Sequence, residues 1–215
     1  LELLEALAAT GKPIVSVMIQ GRPYDIQRVE ELSQAVLVGW FPGQQGGAAI
    51  AGTLAGDFNP SGRLGVSYPL NANQLPVYYY QRAASKQDNY YDQSGAPLHE
   101  FGFGLSYTKF SYDYLHVTAD SDTITVKVSV TNRGTYAGSE SVLLFVRLLG
   151  GSVIQRHKLL KDFIKVTLEP GETRELTLHL TPQQLTYTDS DRQLKPAVGC
   201  RVLVGNLEEE IFFTK

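Results

Sequence analysis

Two different periodicities of apolar residues divide the chain. In the first half, apolar residues recur at helical spacing over Leu1–Ala9, and the run Ile14–Ile19 is apolar on both faces of a strand. The pattern then predicts a short helix over Gln27–Ser33, a second strand over Ala35–Trp40 and a helix that opens at 43–47 and ends near Gly56. This alternation of helices and strands predicts a parallel α/β layer.

The predicted α/β layer is incomplete. Two clear strands, with a possible third at Leu64–Tyr68, are fewer than the roughly five or six of a doubly wound sheet. We therefore expect an open sheet edge, and with it a partner chain, self-association through an exchanged element, or poor solubility. The chain also opens directly on helical spacing, with no initiator Met and no capping residue. We expect it to be a piece of a longer polypeptide.

Residues 71–114 lose this periodicity and collect aromatic side chains. These residues predict a long connector that lies on a surface. Two interpretations remain: the aromatic rings pack the connector against both domains, or some of them stack on sugars. The aromatic residues are Tyr78, Tyr79, Tyr80, Tyr90, Tyr91, Phe101, Phe103, Tyr107, Phe110, Tyr112 and Tyr114.

From about residue 115 the pattern changes to short strands of period two. Turn signals separate about seven such strands over roughly 100 residues, which predicts an immunoglobulin-like β-sandwich. We therefore divide the chain into domains 1–114 and 115–215. Within the second domain, 142–146 is apolar on both faces, so we expect its outer face to be covered by the first domain or by the connector. Alternation places Cys200 on the inner face as a buried structural thiol.

Composition excludes several classes of function. The chain has 19 Lys and Arg against 22 Asp and Glu, with no basic face, which argues against nucleic-acid binding. Its apolar runs are too short to cross a membrane. A single Cys and four scattered His residues do not offer metal-ligand spacing. The glycines at 43–47 lack the ending of a phosphate-binding loop, so we expect no nucleotide, metal or other cofactor.

Six strings in register resemble glycoside hydrolase family 3, the β-glucosidase and β-xylosidase family. They are Gly-Lys-Pro-Ile-Val-Ser-Val at 11–17, Gly-Arg-Pro at 21–23, Trp-Phe-Pro-Gly-Gln-Gln-Gly-Gly at 40–47, Gly-Asp-Phe-Asn-Pro-Ser-Gly-Arg at 56–63, Leu-Pro-Val-Tyr-Tyr at 75–79 and Phe-Gly-Phe-Gly-Leu-Ser-Tyr-Thr at 101–108. The turn Leu-Glu-Pro-Gly-Glu-Thr at 168–173 resembles the fibronectin type III-like domain that follows in this family. The resemblance covers essentially the whole chain.

The resemblance implies a fold, and it implies that the partner of this chain is the missing N-terminal barrel and the missing half of the sandwich. The family places a (β/α)8-like barrel first, then an α/β sandwich, then the fibronectin-like domain. Its retaining mechanism needs two carboxyl groups about 5 to 5.5 Å apart. The family's nucleophilic Asp lies on the barrel and its acid/base Glu lies before the segment that corresponds to Leu1–Ala9, so no residue of this chain inherits a catalytic role. Family habit also favours a periplasmic or secreted parent.

The chain departs from the family at three places. Gln45 stands where Glu is usual, Gly65 replaces a common Pro, and His99-Glu100 replaces the usual Tyr-Pro. The third change places charge in a corner that the family keeps apolar.

Five residues of the connector are candidate sugar contacts. We hypothesise that a loop of this region borders the outer sugar subsites of the whole enzyme, where a Tyr ring stacks on a pyranose and an Arg donates to hydroxyl groups. The candidates are Tyr80, Arg82, Tyr90, Tyr91 and Asp92. The leading interpretation is thus the non-catalytic C-terminal part of a retaining β-glycosidase. The alternatives are a free-standing carbohydrate-binding module and a structural fibronectin-like module.

Overall fold

The computed structural model describes residues 1–74, 76–82, 91–120 and 122–213. Their contacts divide them into two compact units. The first unit comprises Leu1–Phe58, 64–74, 76–78 and 91–103; the second comprises Asn59–Arg63, 79–82, 104–120 and 122–213.

The first unit alternates helices and parallel strands, as the apolar pattern predicts. Its elements are α1 (Glu2–Ala8), β1 (Val15–Met18), α2 (Gln27–Leu32), β2 (Ala35–Val38), α3 (Gly46–Ala55) and a 3-10 turn at Ala72–Gln74. Strands β1 and β2 pair in parallel, with Val15 opposite Ala35 and Met18 opposite Val38. Helix α3 ends at Gly56, whose φ of 85° lies in the left-handed region that a glycine adopts without steric cost.

The third strand suggested for Leu64–Tyr68 does not form. The backbone groups of this segment bond instead to residues 98–103: Leu64 N donates to Phe103 O at 2.8 Å, and Tyr68 N donates to His99 O at 2.9 Å. Because these partners take up its donors and acceptors, the segment does not join β1 and β2. The parallel sheet of the described residues therefore has two strands.

The core of the first unit is small. Its buried apolar residues are Ile26, Val29 and Tyr68. Partly buried residues from α1, both strands and the later segments surround them: Leu4, Met18, Val36, Val38, Trp40, Leu64 and Leu98.

In the described part of the second unit, seven of the strands form two antiparallel sheets, which make up a β-sandwich. A three-stranded sheet has the order β3-β4-β7, and a four-stranded sheet has the order β11-β10-β5-β6. The strands of the unit are β3 (Phe110–Ala119), β4 (Ile124–Asn132), β5 (Gly138–Leu149), β6 (Leu159–Leu168), β7 (Thr173–Leu180), β8 (Thr186–Thr188), β9 (Leu194–Pro196), β10 (Gly199–Val204) and β11 (Leu207–Phe212). Strands β8 and β9 form a separate hairpin. The predicted immunoglobulin-like architecture is confirmed.

Alternate residues of the two sheets face each other and exclude water. Val128 of β4, Leu144 of β5 and Val202 of β10 are all fully buried. Cys200 lies among them, as alternation predicts, and burial raises the pKa of its thiol to about 11. The thiol is therefore protonated and inert at neutral pH.

The first strand of the sandwich begins before the change of pattern at residue 115. Strand β3 starts at Phe110, and the second unit takes in the chain from Gly104 onward. A bulge between Tyr112 and Tyr114 shifts the register of β3 against β4, which breaks the alternation in this stretch. Position 114/115 thus falls inside a strand.

The apolar outer face of β5 is partly covered. The ring of Phe145 contacts the Tyr79 ring edge-on, with centroids 6.1 Å apart. The Lys158 ammonium lies over the same Phe145 ring, 5.1 Å from its centroid. Tyr79 belongs to the aromatic connector, so the connector supplies part of the predicted cover.

Candidate functional site

Tyr80 and Arg82 lie where the connector pairs with the chain just before β6. Arg82 forms an antiparallel bridge with Arg156, and Gln81 O accepts from His157 N at 2.9 Å. This short pairing fixes the backbone of 81–82 against the sandwich. The Cα atom of Arg82, from which the side chain extends, therefore has a defined position.

Arg156 holds the Tyr80 ring in place. Its guanidinium lies over the ring, 5.0 Å from the centroid, and its Nη1 donates to Tyr80 O at 2.9 Å. Such a cation–π contact contributes about 0.5–1 kcal/mol at an exposed site. Tyr80 is 38% exposed, and Arg82 is exposed.

Two of the remaining sequence candidates belong to the other unit. Tyr91 and Asp92 are both exposed and belong to the first unit, whereas Tyr80 and Arg82 belong to the second. Tyr90 lies outside the described residues. The structure thus places Tyr80 and Arg82 beside the segment of Arg156 and does not describe the five candidates as one site.

Sequence reasoning missed Arg156. It lies 76 positions after Tyr80 and carries no local motif, so only the tertiary pairing brings it onto the ring. The one available signal was its neighbourhood, Arg156-His157-Lys158, a short cationic run ahead of a strand.

A second group of polar side chains lies in the first unit. His99 Nε2 donates to Glu30 Oε1 at 2.5 Å, and the imidazole stacks on Phe103 with centroids 4.1 Å apart and planes 10° apart. This contact accommodates the departure of His99 from the family string. The Glu30 carboxylate is the hydrogen-bond partner of the imidazole, and the imidazole takes the place of an aromatic ring by stacking on Phe103.

Beside this pair, Tyr68 is fully buried. Burial raises the pKa of its phenol, a hydrogen bond from Gln20 Nε2 opposes the rise, and the negative charge of Glu30 adds to it. Gln20 Oε1 is buried and has no hydrogen-bond partner among the described residues. Tyr68 is therefore a neutral phenol at physiological pH.

The helices and the metal-ligating side chains of the described ranges bear on membrane insertion and on metal binding. No helix there is long and apolar enough to cross a membrane. No group of three or more His, Cys, Asp or Glu residues in those ranges is arranged to hold a metal ion.

Curated relatives match most of this chain but are much longer. The periplasmic β-glucosidase of Salmonella typhimurium is 37% identical over an alignment of 202 residues that covers 86% of this chain and 26% of that protein. A β-xylosidase of Formosa agariphila is 39% identical over an alignment of 198 residues that covers 88% of this chain and 27% of that protein. The chain thus spans about a quarter of the length of these relatives.

Solved structures also match nearly the whole of this chain and are much longer than it. A β-glucosidase from Listeria innocua in complex with isofagomine superposes with a TM-score of 0.92 at 28% identity, covering 98% of this chain and 32% of that one. A β-glucosidase from Erythrobacter marinus gives a TM-score of 0.92 at 39% identity, covering 98% of this chain and 29% of that one.

Two family domains account for most of the sequence. The glycosyl hydrolase family 3 C-terminal domain matches residues 1–107, and a fibronectin type III-like domain matches residues 140–207. The predicted order of an α/β layer and a β-sandwich agrees with this pair of domains. The chain therefore belongs to glycoside hydrolase family 3, as a C-terminal part with a fibronectin type III-like domain.

Proposed function

We propose that the whole protein to which this chain belongs is a retaining β-glycosidase that removes terminal β-linked sugars such as glucose or xylose. One observation carries the proposal: 98% of the chain superposes on β-glucosidases about three times its length. The curated relatives divide between β-glucosidases and β-xylosidases, so the proposal names both sugars.

Within that enzyme the chain acts as a support and not as the source of the reacting groups. Retaining hydrolysis needs two carboxyl groups about 5 to 5.5 Å apart, one as nucleophile and one as acid/base. Glu140, the buried carboxylate of the described residues, is engaged by Arg63 and Tyr112. Glu30 is engaged by His99. Neither is placed to attack a sugar.

The direct test compares the chain with its whole parent on aryl β-glucoside and aryl β-xyloside. We expect the parent to release the phenol and the chain alone to give the rate of buffer. Turnover by the chain alone would overturn the assignment of a supporting function. A parent inactive on both substrates would overturn the proposed activity.

Calorimetric titration of the chain with glucose, xylose and their disaccharides tests the alternative of a free-standing binding module. That alternative requires saturable heat of binding.

Tyr80 and Arg82 are the proposed contacts to outer sugars. The support for this is their partial exposure and the way Arg156 fixes the Tyr80 ring. In the parent, Arg82→Ala should lower kcat/KM for a disaccharide about tenfold, since a hydrogen bond from a charged group contributes about 1.5–3 kcal/mol. The aryl monoglycoside, which lacks the outer sugar, should be unaffected. If Arg82→Ala leaves kcat/KM unchanged for the disaccharide as well as for the aryl monoglycoside, the proposal is contradicted. Tyr91→Ala and Asp92→Ala test the remaining described candidates in the same way.

The edges of the β1–β2 pair are the proposed site of association. A pair of strands is marginal by itself in water. Exposed apolar side chains accompany it, including Val15 at 51%, Ile19 at 55% and Phe41 at 81% exposure. We expect concentration-dependent self-association of the chain in sedimentation velocity. A monomer across a hundredfold concentration range would contradict this.

A further inference from the structure

The segment Asn59–Arg63 belongs by sequence to one domain and by contacts to the other unit. The family 3 domain matches residues 1–107, which include it. Its spatial contacts nevertheless place it in the second unit, with the β-sandwich. Its two ends are fixed there by the side chains of Asn59 and Arg63.

Asn59 bonds to the chain ahead of two sandwich strands. Its Nδ2 donates to Ala137 O at 2.8 Å, immediately before β5. Its Oδ1 accepts from Ser106 Oγ at 2.8 Å and from Tyr107 N at 2.9 Å, shortly before β3. The fit is close, because a Cβ on Gly138 would lie 2.7 Å from the Asn59 amide nitrogen.

Arg63 forms an ion pair with Glu140 in a largely water-excluded setting. The two side chains are 12% and 10% exposed. Tyr112 of β3 donates its hydroxyl proton to the other carboxylate oxygen, Glu140 Oε1, at 2.8 Å. Burial raises the pKa of Tyr112, as does the negative charge of Glu140, so the phenol remains a donor.

The backbone of the segment also approaches the sandwich closely. A Cβ added to Gly104 would lie 2.5 Å from Gly62 O and 3.1 Å from Arg63 Cδ. Backbone oxygen cannot move aside as the end of a flexible side chain does. The absence of a side chain at Gly104 is thus required for the segment to lie where it does.

We propose that the starts of β3 and β5 form a binding surface whose partner is the chain's own segment Asn59–Arg63, which docks as one unit. The surface offers a carbonyl and two donors to an Asn amide at one end. At the other end it offers a buried carboxylate to an Arg guanidinium. The fibronectin-like sandwich of this protein reaches its full stability only with that segment in place. This inference is independent of the proposed sugar chemistry.

The experiment measures opening of the sandwich in the full chain. Cys200, the single cysteine, is buried in the sandwich, so its rate of labelling by a thiol reagent reports how often that unit opens. We expect Arg63→Ala to raise the opening equilibrium more than about a hundredfold, because Glu140 then stays buried without a counter-charge. Glu140→Gln added to Arg63→Ala should recover part of this increase.

Arg133→Ala is the matched control. Arg133 pairs with Asp113 in the same unit, but its side chain is 58% exposed, so the change should be under about fivefold. If Arg63→Ala has no larger effect than Arg133→Ala, the proposal is overturned. Arg63→Lys, which keeps the charge, gives a milder variant should Arg63→Ala fail to fold.

Docking as a unit is tested by combining Asn59→Ala with Arg63→Ala. If either substitution releases the segment, the second adds little, and the combined increase in opening stays far below the product of the two single increases. Increases that multiply would mean two independent local contacts and would overturn docking as one unit.

Discussion

In the described parts of the chain, the core cluster of the first unit contains three buried apolar residues. The core cluster of the sandwich contains nineteen. The first unit also exposes large apolar side chains from its helices and strands, such as Leu3 of α1 at 75% and Val15 of β1 at 51%. Burial of apolar surface is the dominant favourable term in folding. The difference shows that two facing sheets bury each other's apolar residues, whereas the two-stranded layer of the described residues leaves many of its own apolar side chains exposed.

The chain carries one natural reporter in each unit. Trp40, the single tryptophan, packs at the small core of the first unit, so its fluorescence follows that unit. Cys200 follows the sandwich. In a urea titration we expect Trp40 fluorescence to change at a lower urea concentration than that at which Cys200 becomes open to thiol labelling. Coincident transitions would contradict a difference in stability between the two units.

The largest effect should come from the sandwich core. Leu144 is fully buried, and Leu144→Ala should lower the free energy of unfolding of the sandwich by about 2–5 kcal/mol, because it leaves a cavity. Thiol labelling of Cys200 in urea measures this. Leu194→Ala is the control, since Leu194 is 69% exposed in the same unit and should change stability by less than about 0.5 kcal/mol. Similar values for both variants would contradict the view of a tightly packed sandwich.

Alkaline pH should weaken the sandwich through Cys200. The thiol pKa rises from 9.0 to about 11 on folding because the thiol is buried. Below pH 9 the thiol is protonated in both states; between pH 9 and 11 the unfolded chain releases this proton and the folded chain keeps it. Stability should therefore fall across this window by up to about 2–3 kcal/mol. Circular dichroism in urea at each pH measures how steeply the free energy of unfolding falls with pH. This fall should be less steep in Cys200→Ala than in the unsubstituted chain. An equally steep fall in both would contradict the assignment of the effect to Cys200.

The His99–Glu30 contact should matter to the first unit alone. His99→Ala removes a hydrogen bond to a carboxylate and the stacking on Phe103, and should lower stability by about 1–2 kcal/mol. The Trp40 transition should shift while Cys200 labelling does not. Arg28→Ala is the matched control, since Arg28 lies in the same unit, is half exposed and is 2.9 Å from Glu31, and should cost less than about 1 kcal/mol. A shift of both transitions by His99→Ala would show that the units do not unfold separately.

The smallest effects should come from two glycines of helix α3, with opposite signs. Gly56→Ala places a side chain at φ 85° and should destabilise the first unit by about 1 kcal/mol. Gly47 lies inside the helix with no atom within 4 Å of a Cβ, so Gly47→Ala should stabilise by about 0.5–1 kcal/mol. The midpoint of the Trp40 transition measures both, and a stabilising Gly56→Ala would be incompatible with the observed helix end.

The local pattern of the sequence determined the type and order of nearly every element. Period-two alternation of branched and polar residues predicts the sandwich strands, because alternate side chains of a strand point to opposite faces. The same pattern identified Cys200 as buried. The helices and the two parallel strands followed from helical spacing, doubly apolar runs and glycines, all of which act within a few residues. Six short strings in register were sufficient to indicate the family.

Contacts between distant residues were decided only by the tertiary structure. The segment Leu64–Tyr68 pairs with 98–103 and not with the sheet, since either pairing satisfies the same backbone groups. Arg156 holds Tyr80 across 76 positions, and Asn59 and Arg63 dock on the sandwich although their string belongs to the preceding family domain. Sequence periodicity reports which face a residue occupies, but which surface meets that face depends on the path of the whole chain.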